Sequence, residues 1–187
     1  YRSTWRDLAA TLPDNMPGAS LAIIDGPYNM KKADWDTFKS WEHFVAWYRP
    51  ELEELTRVLA TGATVYLWGS DESEGYLRPL MRDLGWGFRG SVTWDRVRSY
   101  AQVGYAKLKG FPNVTESCGL WMRGDPPFVG GLAMSNVWRL GPDGYQTERL
   151  ITGARTQRVK HQKTDWAESL HPCQKPLAFY DRLIRSS

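Results

Sequence analysis

A chain of 187 residues, 42% hydrophobic and 24% charged, is long enough to bury a core without staples, and no apolar run approaches the roughly 20 residues that span a bilayer. Its two cysteines, Cys118 and Cys173, stand far apart and outside any Cys-x-x-Cys spacing, which argues against a disulfide scaffold or zinc site and for a reducing, cytoplasmic setting. A net charge of +3 and an isoelectric point near 8.9 suit a polyanionic partner without requiring one.

Leu8 and Leu12, between Asp7 and Asn15, predict a short helix closed by Leu12-Pro13-Asp14-Asn15. Leu21-Ala22-Ile23-Ile24 then runs into Asp25-Gly26-Pro27-Tyr28-Asn29. Four apolar residues ended by an acid, a glycine and a proline read as a buried strand that delivers Asp25 to a tight turn. Ligands of open α/β sheets bind beyond the carboxyl ends of strands, which is where that turn falls. Residues 30–39 are polar with scattered aromatics and no period, the pattern of a mobile loop.

Trp41, Phe44, Val45 and Tyr48 follow helical spacing, and Leu52, Leu55, Val58 and Leu59 continue it past Pro50, which either kinks one helix or opens a second. Gly62 reads as the helix end and Ala63 to Trp68 as a second buried strand. Ser70 with the following acids is an N-cap leading into Tyr76, Leu77, Leu80 and Leu84, with Pro79 blurring the boundary. Phe88 to Trp94 is a third strand, so strands and helices alternate as in a sheet with covering helices.

Beyond Asp95, basic and aromatic residues interleave from Arg96 to Lys109 without a firm period. Glu116 to Met122 is a further strand and Asn136 to Leu140 a short one. From Gly141 to Glu168 there is little apolar content, and no acid stands between Glu148 and Asp165. His171-Pro172-Cys173-Gln174-Lys175-Pro176 precedes a helix carrying Leu177, Tyr180, Leu183 and Ile184. Of the ten tryptophans, Trp35, Trp41, Trp47, Trp68, Trp86 and Trp94 fall at spacings that suit core positions. A start at Tyr1 and an end at Ser187 without a helix stop read as a chain that is incomplete at both ends.

Asp25-Gly26-Pro27-Tyr28 resembles the Asp-Pro-Pro-Tyr signature of S-adenosylmethionine-dependent DNA amino methyltransferases. Asp7-Leu8 through Leu12-Pro13-Asp14 is similar to the family's lead-in, and Arg57-Val58-Leu59 with Gly62 to its next helix end and turn. Trp94, Phe111-Pro112-Asn113 with Glu116, Asn136-Val137-Trp138-Arg139 and His171-Pro172-x-Gln174-Lys175-Pro176 extend the resemblance nearly end to end. Their order is that of the β class. Two departures stand out. Gly26 replaces the first signature proline, which keeps the backbone carbonyl but loosens the turn. The family's Gly-rich cofactor loop has no counterpart, since Gly85-Trp86-Gly87 and Gly130-Gly131 are out of place and pattern; the natural chain continues past Ser187, or the chain is a fragment or a degenerate member.

The resemblance implies an α/β fold: a Rossmann-like methyltransferase sheet with helices on both faces and an irregular target-recognition insertion. One domain is expected over residues 1–187, with a catalytic part at 1–125, a recognition region at 126–168 and a cofactor-side segment at 169–187. It implies methyl transfer from S-adenosylmethionine to adenine N6 of a flipped base in double-stranded DNA. Cytosine N4, or a silent DNA-binding subunit, are the alternatives. Asp25 and the carbonyl of Gly26 would accept the two hydrogens of the target amine, freeing its delocalised lone pair, while Pro27 completes the turn and Tyr28 stacks on the base. The resemblance assigns Asp25, His171, Gln174, Lys175 and Pro176 to the cofactor, and Asn29, Arg149, Arg155, Arg158, Lys160 and Lys163 to DNA. It calls for no metal and no membrane, and is compatible with a homodimer and with a cognate restriction endonuclease.

Overall fold

The computed structural model describes residues 5–13, 17–95, 115–126, 135–139, 175 and 177–187. The expected basic and aromatic stretch 96–109, Phe111-Pro112-Asn113, the cations from Arg149 to Lys163, and His171, Gln174 and Pro176 lie outside these residues. Helices α1 (Trp5–Ala9), α2 (Trp41–Val58), α3 (Asp71–Asp83) and α4 (Leu177–Arg185) alternate with strands β1 (Ala19–Ile24), β2 (Leu59–Gly69), β3 (Gly87–Asp95), β4 (Thr115–Met122) and β5 (Val137–Arg139). The strands hydrogen-bond in the order β1-β2-β4-β3-β5, with β1 parallel to β2 and β3 parallel to β5. No helix among the described residues is long and apolar enough to cross a membrane.

The described residues fall in two compact units. The first gathers those of 5–91 and 118–126 with Ser187. Its core is set by α2, which brings Phe44, Tyr48 and Leu52, four residues apart, into one cluster with Val65 and Leu67 of β2, Leu77, Leu80 and Met81 of α3, Trp86, and Trp121 of β4. Residues 63–69 of β2 are buried without a break, as expected for a strand covered on both faces. Ser40 caps α2, its hydroxyl accepting from the His43 N–H at 3.2 Å. At the other end, Arg123 donates to the carbonyls of Thr56 (3.0 Å) and Leu59 (2.6 Å), satisfying acceptors that the last turn of a helix leaves open. Ser70 and Ser73 exchange side-chain and backbone bonds at the start of α3, a capping box closed by serine in place of the usual glutamate.

Pro50 lies inside α2 and Pro79 inside α3, so of the two readings at Pro50 the single helix holds. Pro50 removes only the bond to the carbonyl of Ala46, a residue on the exposed side of α2, where water can take that acceptor. Gly62 lies within β2 and does not end the helix; the chain passes from Val58 directly into the strand. Trp68, Trp86 and Trp94 are core residues, but Trp35 and Trp47 are 51% and 43% exposed. Trp41 is half-buried and stacks on Tyr76, with ring centroids 4.6 Å apart.

The second unit gathers the described residues of 92–117 and 129–186. Trp94 and Trp138 are paired across β3 and β5 and both meet the ring of Phe179 on α4, at 6.2 and 4.7 Å between centroids. The Arg182 guanidinium lies 4.9 Å over the Trp138 ring.

Candidate active site

Leu21 to Ile24 of β1 pair one for one with Thr64 to Leu67 of β2, and Asp25 is the first residue past that run. It stands exposed, while the four residues that follow are half-buried. Tyr28 Oη donates to Asp25 Oδ1 at 2.8 Å, which fixes the carboxylate against its own turn. A carboxylate has about four acceptor positions and can take more than one donor at a time.

The turn is held from beneath by Tyr48 of α2. This residue is 2% exposed, and its hydroxyl donates to the carbonyl of Pro27 at 3.0 Å. Burial, reinforced by the Asp25 and Asp36 carboxylates, pushes the Tyr48 phenol well above its usual range, so it remains a donor at any ordinary pH. A Cβ at position 26 would run into that hydroxyl and come within 3.2 Å of the ring carbon bearing it. Glycine at position 26 therefore leaves the space that the Tyr48 hydroxyl fills.

The stretch expected to be a mobile loop is tied down by one side chain. Asp36, in a single 3-10 turn (Asp34–Asp36), is 2% exposed and accepts four backbone N–H bonds. Its Oδ1 receives those of Tyr28 (2.6 Å) and Asn29 (2.9 Å), and its Oδ2 those of Met30 (3.0 Å) and Lys32 (3.3 Å). Asn29 and Lys31 occupy the left-handed backbone region, φ 60° and 57°, which a non-glycine residue enters at a cost of roughly 1 kcal/mol or more. The Asn29 side chain accepts in turn from the Phe38 N–H at 3.0 Å, and Phe38 packs on Phe44 and Trp47 of α2.

Asp25, Gly26, Pro27, Tyr28 and Asn29 are thus brought together on one bonded turn. Lys175 belongs to the second unit, where it is 4% exposed with Nζ 3.5 Å from Glu116 Oε2. The remaining cofactor and DNA residues expected from the sequence lie outside the described residues. Sequence reasoning missed Asp36 and Tyr48. Tyr48 was legible only as a core position of α2. The signal for Asp36 is indirect: backbone donors of residues 28–32 have no strand or helix to join, and an acid a few residues on is the usual acceptor in such loops.

Several proteins are similar to this chain in sequence or in fold. The chain is 24% identical to the type II methyltransferase M2.DpnII of Streptococcus pneumoniae, an alignment covering 100% of this chain and 71% of that protein. It is 26% identical to M.HpaI of Haemophilus parainfluenzae over 89% of this chain and 53% of the relative. With M1.MboII of Moraxella bovis the identity is 29% over 41% of this chain and 29% of the relative. The chain thus spans 29%, 71% and 53% of the lengths of M1.MboII, M2.DpnII and M.HpaI. Among solved structures, the M1.HpyAVI-SAM complex matches 98% of this chain and 74% of its own with a TM-score of 0.58 at 12% identity. The cytosine-N4-specific PvuII DNA methyltransferase matches 75% of this chain and 56% of its own with a TM-score of 0.57 at 10% identity. The fold is accordingly the Rossmann-like α/β sheet expected. The family described as DNA methylase matches residues 19–187, nearly the whole chain, and to that family the chain belongs.

Proposed function

We propose that this chain carries the methyl-accepting site of an S-adenosylmethionine-dependent DNA amino methyltransferase, with adenine N6 as the target. The observation that carries the reading is the exposed Asp25 carboxylate at the end of β1, oriented by the Tyr28 hydroxyl on a turn held by Tyr48 and Asp36. An anionic acceptor beyond the carboxyl end of a parallel strand pair also suits a cationic sulfonium cofactor, so the residues present fit that group. When bound, S-adenosylmethionine supplies an electrophilic methyl group.

The chain's own part is to prepare the nitrogen. An exocyclic amine is a weak nucleophile because its lone pair is delocalised into the ring. Asp25 accepts one of its hydrogens and the Gly26 carbonyl the other, which draws the nitrogen toward tetrahedral geometry and localises the lone pair. The proton released is taken up at Asp25. Tyr28 presents a ring face to a base swung out of the duplex, since the amine is out of reach within the stack. By resemblance, His171, Gln174, Lys175 and Pro176 are proposed as cofactor contacts, and Asn29, Arg149, Arg155, Arg158, Lys160 and Lys163 as DNA contacts. A cytoplasmic restriction-modification setting, with a homodimer and a cognate endonuclease, belongs to the same proposal.

The test is to incubate the full-length protein with tritiated S-adenosylmethionine and mixed-sequence bacterial DNA, then digest and identify the labelled nucleoside. Labelled N6-methyladenine is the expected product. Labelled N4-methylcytosine would move the target to the other amine, and no label at all would favour a silent DNA-binding subunit.

A further inference from the structure

We infer that Asp36 is a positioning residue for the reaction: its carboxylate pre-forms the turn that aims Asp25 and Tyr28, before DNA arrives. The inference rests on the functional reading above for what the turn does, and on the bonding pattern for how it is held. Asp36 is buried, and among the described residues it makes no ion pair. A buried carboxylate without a cation is unfavourable unless hydrogen bonds replace its hydration, and here four backbone N–H groups do so. They are divided evenly, two to each oxygen.

The position of those donors gives the arrangement its meaning. All four lie between Tyr28 and Lys32, just past Asp25 and Gly26, the two residues proposed to accept the amine hydrogens, and the first belongs to the residue whose hydroxyl holds Asp25. The Asp36 carbonyl also accepts the Lys31 N–H at 3.1 Å, so every backbone N–H from Tyr28 to Lys32 ends on this one residue. That convergence holds Asn29 and Lys31 in the left-handed region, a conformation a free loop would leave. These bonds join loop to loop, whereas the core cluster of α2, β2 and α3 is assembled from other residues. Removing them therefore acts on the aim of Asp25 and Tyr28 and leaves the core in place.

Asp36→Asn is nearly isosteric. It keeps an acceptor for two of the four amides and turns an amide NH2 toward the other two. Asp36→Glu keeps the charge and displaces it by one methylene. In steady-state methylation of mixed-sequence bacterial DNA by the full-length protein, with rates normalised to the folded fraction by circular dichroism, both variants are expected to lose about 100-fold in kcat. KM for DNA and for S-adenosylmethionine should stay within about threefold. Hydrogen exchange supplies a reading independent of catalysis: in the wild type without DNA, the amides of Tyr28, Asn29, Met30 and Lys32 should be protected, and in Asp36→Asn they should exchange fast while those of β2 remain slow. A wild-type rate in Asp36→Asn, full recovery in Asp36→Glu, or unprotected wild-type loop amides would each overturn the inference while the functional reading stands. So would a kcat loss that vanishes after normalisation, which would mark the role as structural only. Absence of methyl transfer by the wild type would overturn the functional reading and this inference with it.

Discussion

Gly26 and Tyr48 are a matched pair: the glycine leaves room for the buried phenol, and the phenol hydroxyl holds the carbonyl of the next residue, Pro27. A substituent at position 26 and the hydroxyl of Tyr48 compete for the same space. Gly26→Ala should therefore destabilise the protein by about 1–3 kcal/mol, the usual effect of forcing atoms into a filled site. Tyr48→Phe alone should cost about 1 kcal/mol for the lost bond. Combined, the two should cost at least about 1 kcal/mol less than their sum, because the second change removes what the first collides with. Denaturant unfolding of the four proteins measures the coupling; strict additivity would show that the pair is not matched.

The same phenol sets a pH dependence. Its proton affinity in the folded protein lies above the ordinary value of 10.0, raised first by burial and then by Asp25 and Asp36. As pH rises past 10 the unfolded chain loses this proton before the folded one does, so the unfolded state gains. The stabilisation is complete below pH 10 and declines above it. Tyr48→Phe should accordingly show a flatter alkaline limb than wild type in thermal unfolding between pH 9 and 11, with no change of slope between pH 6 and 8.

Tyr28 has two proposed duties that can be separated. Tyr28→Phe keeps the ring and removes the 2.8 Å bond to Asp25, and should lower methyl transfer about tenfold by loosening the carboxylate. Tyr28→Ala also removes the stacking face, and should lower it further with weaker retention of a flipped base, worth about 1–3 kcal/mol. Fluorescence of 2-aminopurine placed at the target position reads the second effect; equal signals in the two variants would argue against stacking.

The cations Arg149, Arg155, Arg158, Lys160 and Lys163 are expected to contact DNA. Each one that touches phosphate should flatten the salt dependence of binding by about one unit of slope when replaced by alanine. One that reads a guanine edge should instead relax sequence preference by about 1–3 kcal/mol. Affinity across a salt series on matched and mismatched duplexes sorts them. If none of the five alters either quantity, recognition belongs to the stretch 100–109.

What could be read from the sequence was what repeats or breaks abruptly. Leu21 to Pro27 gave away β1 and its turn because a run of four apolar residues, two of them β-branched, ended in an acid and two backbone-special residues. The face of α2 showed in Phe44, Tyr48 and Leu52. Trp47 could not be placed from spacing, since it sits on the flank of that face, against Phe38 and Tyr48, and stays partly exposed. Residues 30–39 looked mobile because their order comes from one carboxylate gathering main-chain donors, a device without periodicity. The meaning of Gly26 was hidden for a related reason: its partner lies 22 positions along the chain, in a different element.

Asp25 is proposed to prepare the amine for methyl transfer. The most direct measurement is single-turnover methyl transfer by Asp25→Ala in the full-length protein, alongside its melting temperature and DNA affinity. Because the carboxylate is exposed at a strand end and contributes nothing to the core cluster, folding and binding should be close to wild type. The transfer rate should fall by about 100-fold or more, the usual effect of removing one pre-aimed group that stabilises developing charge. A variant that transfers methyl groups at a near-normal rate would contradict the account.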